Sequence, residues 1–161
     1  MIDDTILTQA EALVAACRAA GKMIATAESC TGGLIAATLT AISGSSDVVD
    51  RGFVTYSNEA KTALVGVDPR LIAAHGAVSE PVARAMAEGA IARSRAHIAI
   101  AVTGVAGPGG GTATKPVGLV WFGCAHWGGE TISLSHVFPG DRTEVRRATV
   151  AEALRLIAAR V

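Results

Sequence analysis

Apolar residues recur at helical spacing at Ile6, Ala10, Leu13 and Cys17, and Gly21 stops the helix they predict. The period then changes. Met23 to Ala27 is a short apolar run that predicts a strand over 23–28, and Leu34 to Ala37 opens a helix over 33–42. Gly44-Ser45-Ser46 breaks the chain before a second strand within 48–56. Ser57 is placed to cap a short helix over 58–65, ending at Gly66. Asp68-Pro69 opens another short helical turn, closed by His75-Gly76. Ser79-Glu80-Pro81 is read as the cap of a longer helix reaching Ser94, since proline is tolerated in a first turn.

His97 to Val102 is a continuous apolar run of strand length, followed by Thr103-Gly104 and a glycine-rich loop over 105–115. Val117–Ala125 and Glu130–Phe138 predict a hairpin across Trp127-Gly128-Gly129. Its second arm alternates Ile132, Leu134, His136 and Phe138 with Ser133 and Ser135, the pattern of a half-buried strand. Asp141 with Glu144 forms a capping-box signature, and Val145, Ala148, Ala151, Leu154 and Ile157 give the last helix an apolar face. Helices alternate with strands, which predicts an α/β fold with helices covering a mixed, mostly parallel sheet. No repeat or linker interrupts the pattern, so residues 1–161 are expected to form a single domain.

Composition narrows the picture. Half of the 161 residues are hydrophobic but only 4% are aromatic, so the core must be built from Ala, Val, Leu and Ile. The formal net charge is zero and no basic run stands out, which argues against a nucleic-acid partner. The acidic start, Met1-Ile2-Asp3-Asp4, does not read as a secretory signal, and no apolar stretch approaches the ~18 residues that span a bilayer. Cys17, Cys30 and Cys124 are too scattered for a zinc site and odd in number for a disulfide framework. The expectation is a reduced, cytoplasmic protein with neither membrane nor nucleic acid as partner, and with no metal or cofactor.

Candidate chemistry concentrates at Ala27-Glu28-Ser29-Cys30-Thr31-Gly32-Gly33, a serine and two glycines between a strand and a helix. A hydroxyl at such a turn lies at the end of the sheet, and the first turn of the helix is expected to leave its N–H groups free. A nucleophile and an oxyanion site can share that place. Ser29 also suits plain capping, and Cys30 is a rival nucleophile if the helix N-terminus lowers its thiol. None of the four histidines suggests a Ser-His-Asp triad, and there is no Gly-x-Ser-x-Gly elbow. Lysine is the alternative base. Lys61 follows Tyr56-Ser57-Asn58-Glu59-Ala60 where a strand gives way to a helix; it either faces solvent beside Glu59 or is buried enough to act as a neutral amine. The loop Gly104-Val105-Ala106-Gly107-Pro108-Gly109 matches neither a dinucleotide fingerprint nor a P-loop. It is either a flexible connection or, lying beyond a buried strand, a ligand-facing segment.

Several blocks together resemble the CinA C-terminal domain family. They are Thr26 to Gly33, Gly52 to Lys61, His75 to Pro81, Thr103 to Pro108, Lys115 to Gly118 and Gly140-Asp141-Arg142, in order along nearly the whole chain. The resemblance implies a three-layer α/β/α sandwich, commonly dimeric, in its stand-alone form. It also implies a nicotinamide-nucleotide amidohydrolase, which converts nicotinamide mononucleotide and water to nicotinate mononucleotide and ammonia. Its serine–lysine chemistry falls on Ser29 and Lys61, with Tyr56 nearby as a further catalytic group. Thr103 stands where relatives often have serine, and Gly109-Gly110-Gly111 enriches the loop in glycine.

The mechanism expected on that basis has neutral Lys61, directly or through Tyr56, taking the Ser29 proton as its oxygen attacks the carboxamide. Backbone N–H groups of Thr31, Gly32 and Gly33 would stabilise the oxyanion, each donor contributing about 3–4 kcal/mol. Asn58, Thr103, Gly104, Gly107 and Arg142 are assigned to substrate binding, with Arg142 on the 5′-phosphate and Arg146 as a second candidate for it. Two other classes remain open from sequence: a non-catalytic nucleotide-binding or regulatory module, and an amidase for another small carboxamide.

Overall fold

The structure is a computed structural model that describes residues 2–161. Helix α1 (Asp4–Ala20) is capped by Asp3 and closed by Gly21, and leads into β1 (Ile24–Glu28) and α2 (Leu34–Thr40). A 3-10 turn (Ser45–Asp47) precedes β2 (Val49–Val54), after which come α3 (Asn58–Val65), α4 (Pro69–His75) and α5 (Glu80–Ala92). The chain ends with β3 (Ile98–Gly104), the hairpin β4 (Leu119–His126) and β5 (Ile132–Val137), and α6 (Arg142–Ala158).

The strands form one sheet in the order β2-β1-β3-β4-β5. β1 pairs in parallel with both β2 and β3, while β4 is antiparallel to β3 and to β5, so β4 alone runs against the rest. This is the mixed, mostly parallel α/β sheet that the pattern predicts. Helices α1, α2 and α6 cover one face and α3, α4 and α5 the other.

The two faces are built from different side chains. Ile24, Ile98, Ile100, Val102 and Phe122 point to the α1–α6 side, where each fully buried large side chain contributes about 1.5–3 kcal/mol. The opposite face shows Ala25, Ala27, Ala99, Ala101 and Ala125. That small-residue surface lets α5 settle directly on the sheet: a Cβ on Gly123 of β4 would run into the Ala83 carbonyl of α5. Likewise, a Cβ on Gly89 of α5 would meet the Val65 carbonyl at the end of α3.

Two local expectations are corrected. Ser79 occupies the cap position of α5 but its hydroxyl donates to the Gly76 carbonyl at 2.8 Å, so it closes the preceding turn rather than capping the helix. The buried face of α6 runs through Val145, Thr149, Val150, Ala153, Leu154 and Ile157, whereas Ala148 and Ala151 lie only half-buried. The chain passes from β1 to β2 through α2 on one face and from β2 to β3 through α3–α5 on the other. Adjacent β1 and β2 therefore send their connections to opposite faces, while β3 runs on into the glycine loop, and the crevice at the carboxyl ends of these strands is where open α/β sheets bind ligands.

Candidate active site

Ser29 directly follows β1, and its backbone N–H donates to the Val102 carbonyl of β3 at 3.1 Å. The Gly32 N–H donates back to the Ser29 carbonyl at 3.0 Å and closes a tight turn. Gly32 (φ 58°) and Gly33 (φ 104°) both take left-handed backbone, which is why this turn requires two glycines.

The donors behind the serine are not free. The Glu28 carboxyl, 1% exposed, accepts from the Ile35 N–H at 2.8 Å and the Ala36 N–H at 3.0 Å, the first-turn donors of α2. It also accepts from the Thr31 hydroxyl at 2.6 Å and the Thr26 hydroxyl at 3.3 Å. A side chain thus fills the place an anion would take at that helix. Gly32 is likewise removed from the expected oxyanion set, because its N–H is committed to the Ser29 carbonyl. Ser29 caps nothing; Gly33 occupies the N-cap position of α2.

Lys61 comes from α3, whose start is set by Ser57 accepting from the Ala60 N–H at 3.0 Å. The solvent-facing alternative is overturned: Lys61 is 1% exposed. Its Nζ lies 3.1 Å from Ser29 Oγ and donates to the Thr55 carbonyl at 2.8 Å. Among the described residues it forms no ion pair with a carboxylate. Burial therefore lowers its pKa from the ordinary 10.5, with neighbouring Cys30 acting weakly the other way. A neutral amine fits these two contacts, with one N–H on Thr55 and the lone pair toward the serine hydroxyl.

The surroundings of Cys30 do not favour it as a rival nucleophile. The residue is 7% exposed and burial pushes its thiol pKa up to about 12, opposite to the lowering a free helix N-terminus would cause.

A cavity of about 230 Å³ opens on this pair, and Ser29, Cys30, Tyr56, Asn58, Lys61, Thr103, Gly104 and Arg142 border it. Ala77, Val78 and Ala106 complete the wall, apolar residues with no sequence signal for the role. Tyr56 is 62% exposed, and its hydroxyl is held by Arg142 Nη2 at 3.2 Å rather than set between Lys61 and Ser29. Arg142 Nη1 donates to the Gly107 carbonyl at 2.8 Å, so its guanidinium ties the rim of the cavity to the glycine loop. Thr31, Gly33 and Gly107 lie outside the wall. Gly107 acts behind it, with left-handed φ of 85° that a side chain would strain. A larger groove of about 470 Å³ between α3 and α4 is bordered by neither Ser29 nor Lys61, and the Thr62 hydroxyl on its wall donates to the Val67 carbonyl.

Sequence reasoning missed the part played by Glu28 and misassigned Arg146. Glu28 had a visible signal, a carboxyl at the end of a short, buried strand whose only other polar residue is Thr26. Arg146, expected as a phosphate ligand, is spent on the protein itself: Nε donates to the Cys30 carbonyl and Nη2 to the Thr31 carbonyl, each at 3.1 Å.

The family profile of the CinA C-terminal domain matches residues 7–161. The chain belongs to the CinA C-terminal domain family. A CinA-like protein of Mycolicibacterium gilvum is 56% identical over 138 residues, 86% of this chain but 33% of that protein, so the chain spans about a third of such relatives. The Escherichia coli protein named nicotinamide-nucleotide amidohydrolase PncC is 48% identical over 157 residues, covering 98% of this chain and 95% of the relative. The crystal structure of the Agrobacterium tumefaciens competence/damage inducible protein CihA superposes with a TM-score of 0.96 at 48% identity, covering 99% of this chain and 97% of that one. As a CinA C-terminal domain, the chain shares the α/β architecture of that structure, and none of its described helices is long and apolar enough to cross a membrane.

Proposed function

We propose that this chain hydrolyses the carboxamide of nicotinamide mononucleotide to nicotinate mononucleotide and ammonia, with Ser29 as nucleophile and Lys61 as its base. One observation carries the chemistry: a buried amine without a carboxylate partner lies 3.1 Å from the hydroxyl of Ser29. The substrate is taken from the activity for which the Escherichia coli relative is named, a protein that matches this chain over nearly its full length.

Lys61 takes the Ser29 proton as the serine oxygen attacks the carboxamide carbon. The tetrahedral oxyanion is met by the Thr31 N–H together with that of Cys30, which follows the nucleophile. The resulting lysine ammonium returns its proton to the departing nitrogen, and ammonia leaves. Water, activated by the same amine, then resolves the acyl-enzyme to the carboxylate. Tyr56 and Arg142 stand at the rim, where the guanidinium fork can exchange the Tyr56 hydroxyl for phosphate oxygens. Asn58, Thr103 and Gly104 shape the wall around the ring and ribose. The reading includes a cytoplasmic setting, one domain and a homodimer, the last two checked by a single calorimetric transition and by sedimentation.

A coupled ammonia assay comparing the mononucleotide, the riboside and free nicotinamide tests the reaction. Release from the mononucleotide alone is expected. Binding of the mononucleotide without ammonia would make the chain a nucleotide-binding module, and equal turnover of all three would make it a general amidase.

A further inference from the structure

Arg146 reaches from α6 onto the nucleophile turn without bordering the cavity. Its fork holds two consecutive carbonyls, those of Cys30 and Thr31, each at 3.1 Å. A trans peptide is planar, so its C=O and N–H point in opposite directions. The Thr31 carbonyl shares its peptide with the Gly32 N–H, which duly points away from Arg146 to the Ser29 carbonyl at 3.0 Å. By the same geometry, holding the Cys30 carbonyl against Arg146 turns the Thr31 N–H to the far side of the turn, toward Ser29 and Cys30, which border the cavity while Thr31 itself stands behind them. Among the described residues no acceptor meets that N–H.

We propose that Arg146 is a positioning residue that aims the Thr31 N–H, through the Cys30–Thr31 peptide, at the oxyanion formed on Ser29. This rests on the serine-nucleophile reading above. The guanidinium also draws electron density from the Cys30 carbonyl and so strengthens the N–H at the other end of the same peptide. α2 supplies no substitute, because Glu28 occupies its first-turn donors.

The decisive variant is Arg146→Lys, which keeps a cation but loses the planar fork. It is expected to lower kcat for the mononucleotide about 100-fold, as loss of an oxyanion donor does, with KM within about twofold of the parent. Pyridine-3-boronic acid supplies a second readout. Its boron takes the Ser29 oxygen, the seryl proton passes to Lys61, and the tetrahedral adduct carries an oxygen in the oxyanion position. Its affinity should fall in step with kcat, while affinity for the product mononucleotide stays unchanged. Arg146→Gln, able to reach one carbonyl, should lie between parent and lysine variant, and serves if Arg146→Lys does not fold. A raised KM and weakened product binding with kcat preserved would make Arg146 a ground-state ligand and overturn the proposal. Unchanged kinetics and boronate affinity would also overturn it. Should the parent release no ammonia from the mononucleotide, the substrate assignment fails alone, and the boronate series still decides the role of Arg146.

Discussion

The amine of Lys61 meets the hydroxyl of Ser29 at 3.1 Å while its other contact is the Thr55 carbonyl at 2.8 Å. Both partners are neutral, and among the described residues no carboxylate pairs with the buried nitrogen. Thr55 is itself fixed, its N–H donating to the Glu28 carbonyl at 2.8 Å beside the serine. The base and the nucleophile are thereby both referenced to the end of β1.

Ser29→Ala and Lys61→Ala should each reduce ammonia release by about 10³-fold or more while the far-ultraviolet circular dichroism stays unchanged. Lys61→Arg should be equally inactive, because a guanidinium does not give up its proton near neutrality. For the parent, kcat/KM should rise with pH through the lowered Lys61 value and level off before the ordinary 10.5. A profile that falls over that range would exclude the amine as base. Cys30→Ala should keep activity within a few-fold, and iodoacetamide should leave the native thiol unlabelled at neutral pH, since its pKa stands at about 12.

Lys61 is a cost to the fold. Its folded pKa lies below the unfolded value, so at acid and neutral pH the unfolded chain holds a proton that the buried amine resists. That penalty is fully present below the folded pKa and vanishes as pH rises toward 10.5. Lys61→Met should therefore gain stability relative to the parent most at low pH, with the difference shrinking as pH is raised. Urea unfolding at a series of pH values measures it; a difference that grows with pH would contradict the sign.

Glu28→Gln tests the carboxyl plug. The parent side chain gives one oxygen to the Ile35 N–H and the other to the Ala36 N–H. Glutamine has one acceptor oxygen, so one buried N–H would face an amide NH₂, at a cost of about 1–3 kcal/mol. Denaturant unfolding should show that loss, together with a fall in kcat as the turn loosens. Parent-like stability would mean that the helix donors are satisfied elsewhere.

Tyr56→Phe and Arg142→Ala separate relay from recognition. The Tyr56 hydroxyl meets Arg142 and not the Ser29–Lys61 pair, so its removal should leave kcat within about tenfold. Arg142→Ala should mainly raise KM for the mononucleotide and leave that for the riboside little changed. A Tyr56→Phe variant as inactive as Lys61→Ala would put the phenol back into proton transfer.

Most of the secondary structure was legible because local signals agreed: Asp141 and Glu144 do form a reciprocal capping box, and Gly21 and Gly66 do end their helices in left-handed backbone. The proximity of Ser29 and Lys61 was legible only through the family resemblance, since no periodicity shows that a lysine in a short helix turns inward. Donor occupancy was not legible at all. Whether the N–H groups of α2 are free depends on where the carboxyl of Glu28 points, and whether Arg146 faces substrate depends on the packing of α6 on the turn. Those are tertiary facts, and they moved the oxyanion assignment away from Gly32.

The unequal faces of the sheet bear on how the protein tolerates change. The alanine side carries α5, and α5 in turn abuts the end of α3 through Gly89, so the lysine's helix rides on a closely packed layer. Enlarging Ala99, Ala101 or Gly123 should push that layer outward and draw the amine off the hydroxyl, silencing catalysis in a chain that still melts cooperatively. Trimming Ile98 or Ile100 on the bulky side should do the reverse, with turnover persisting per folded molecule as the melting point drops.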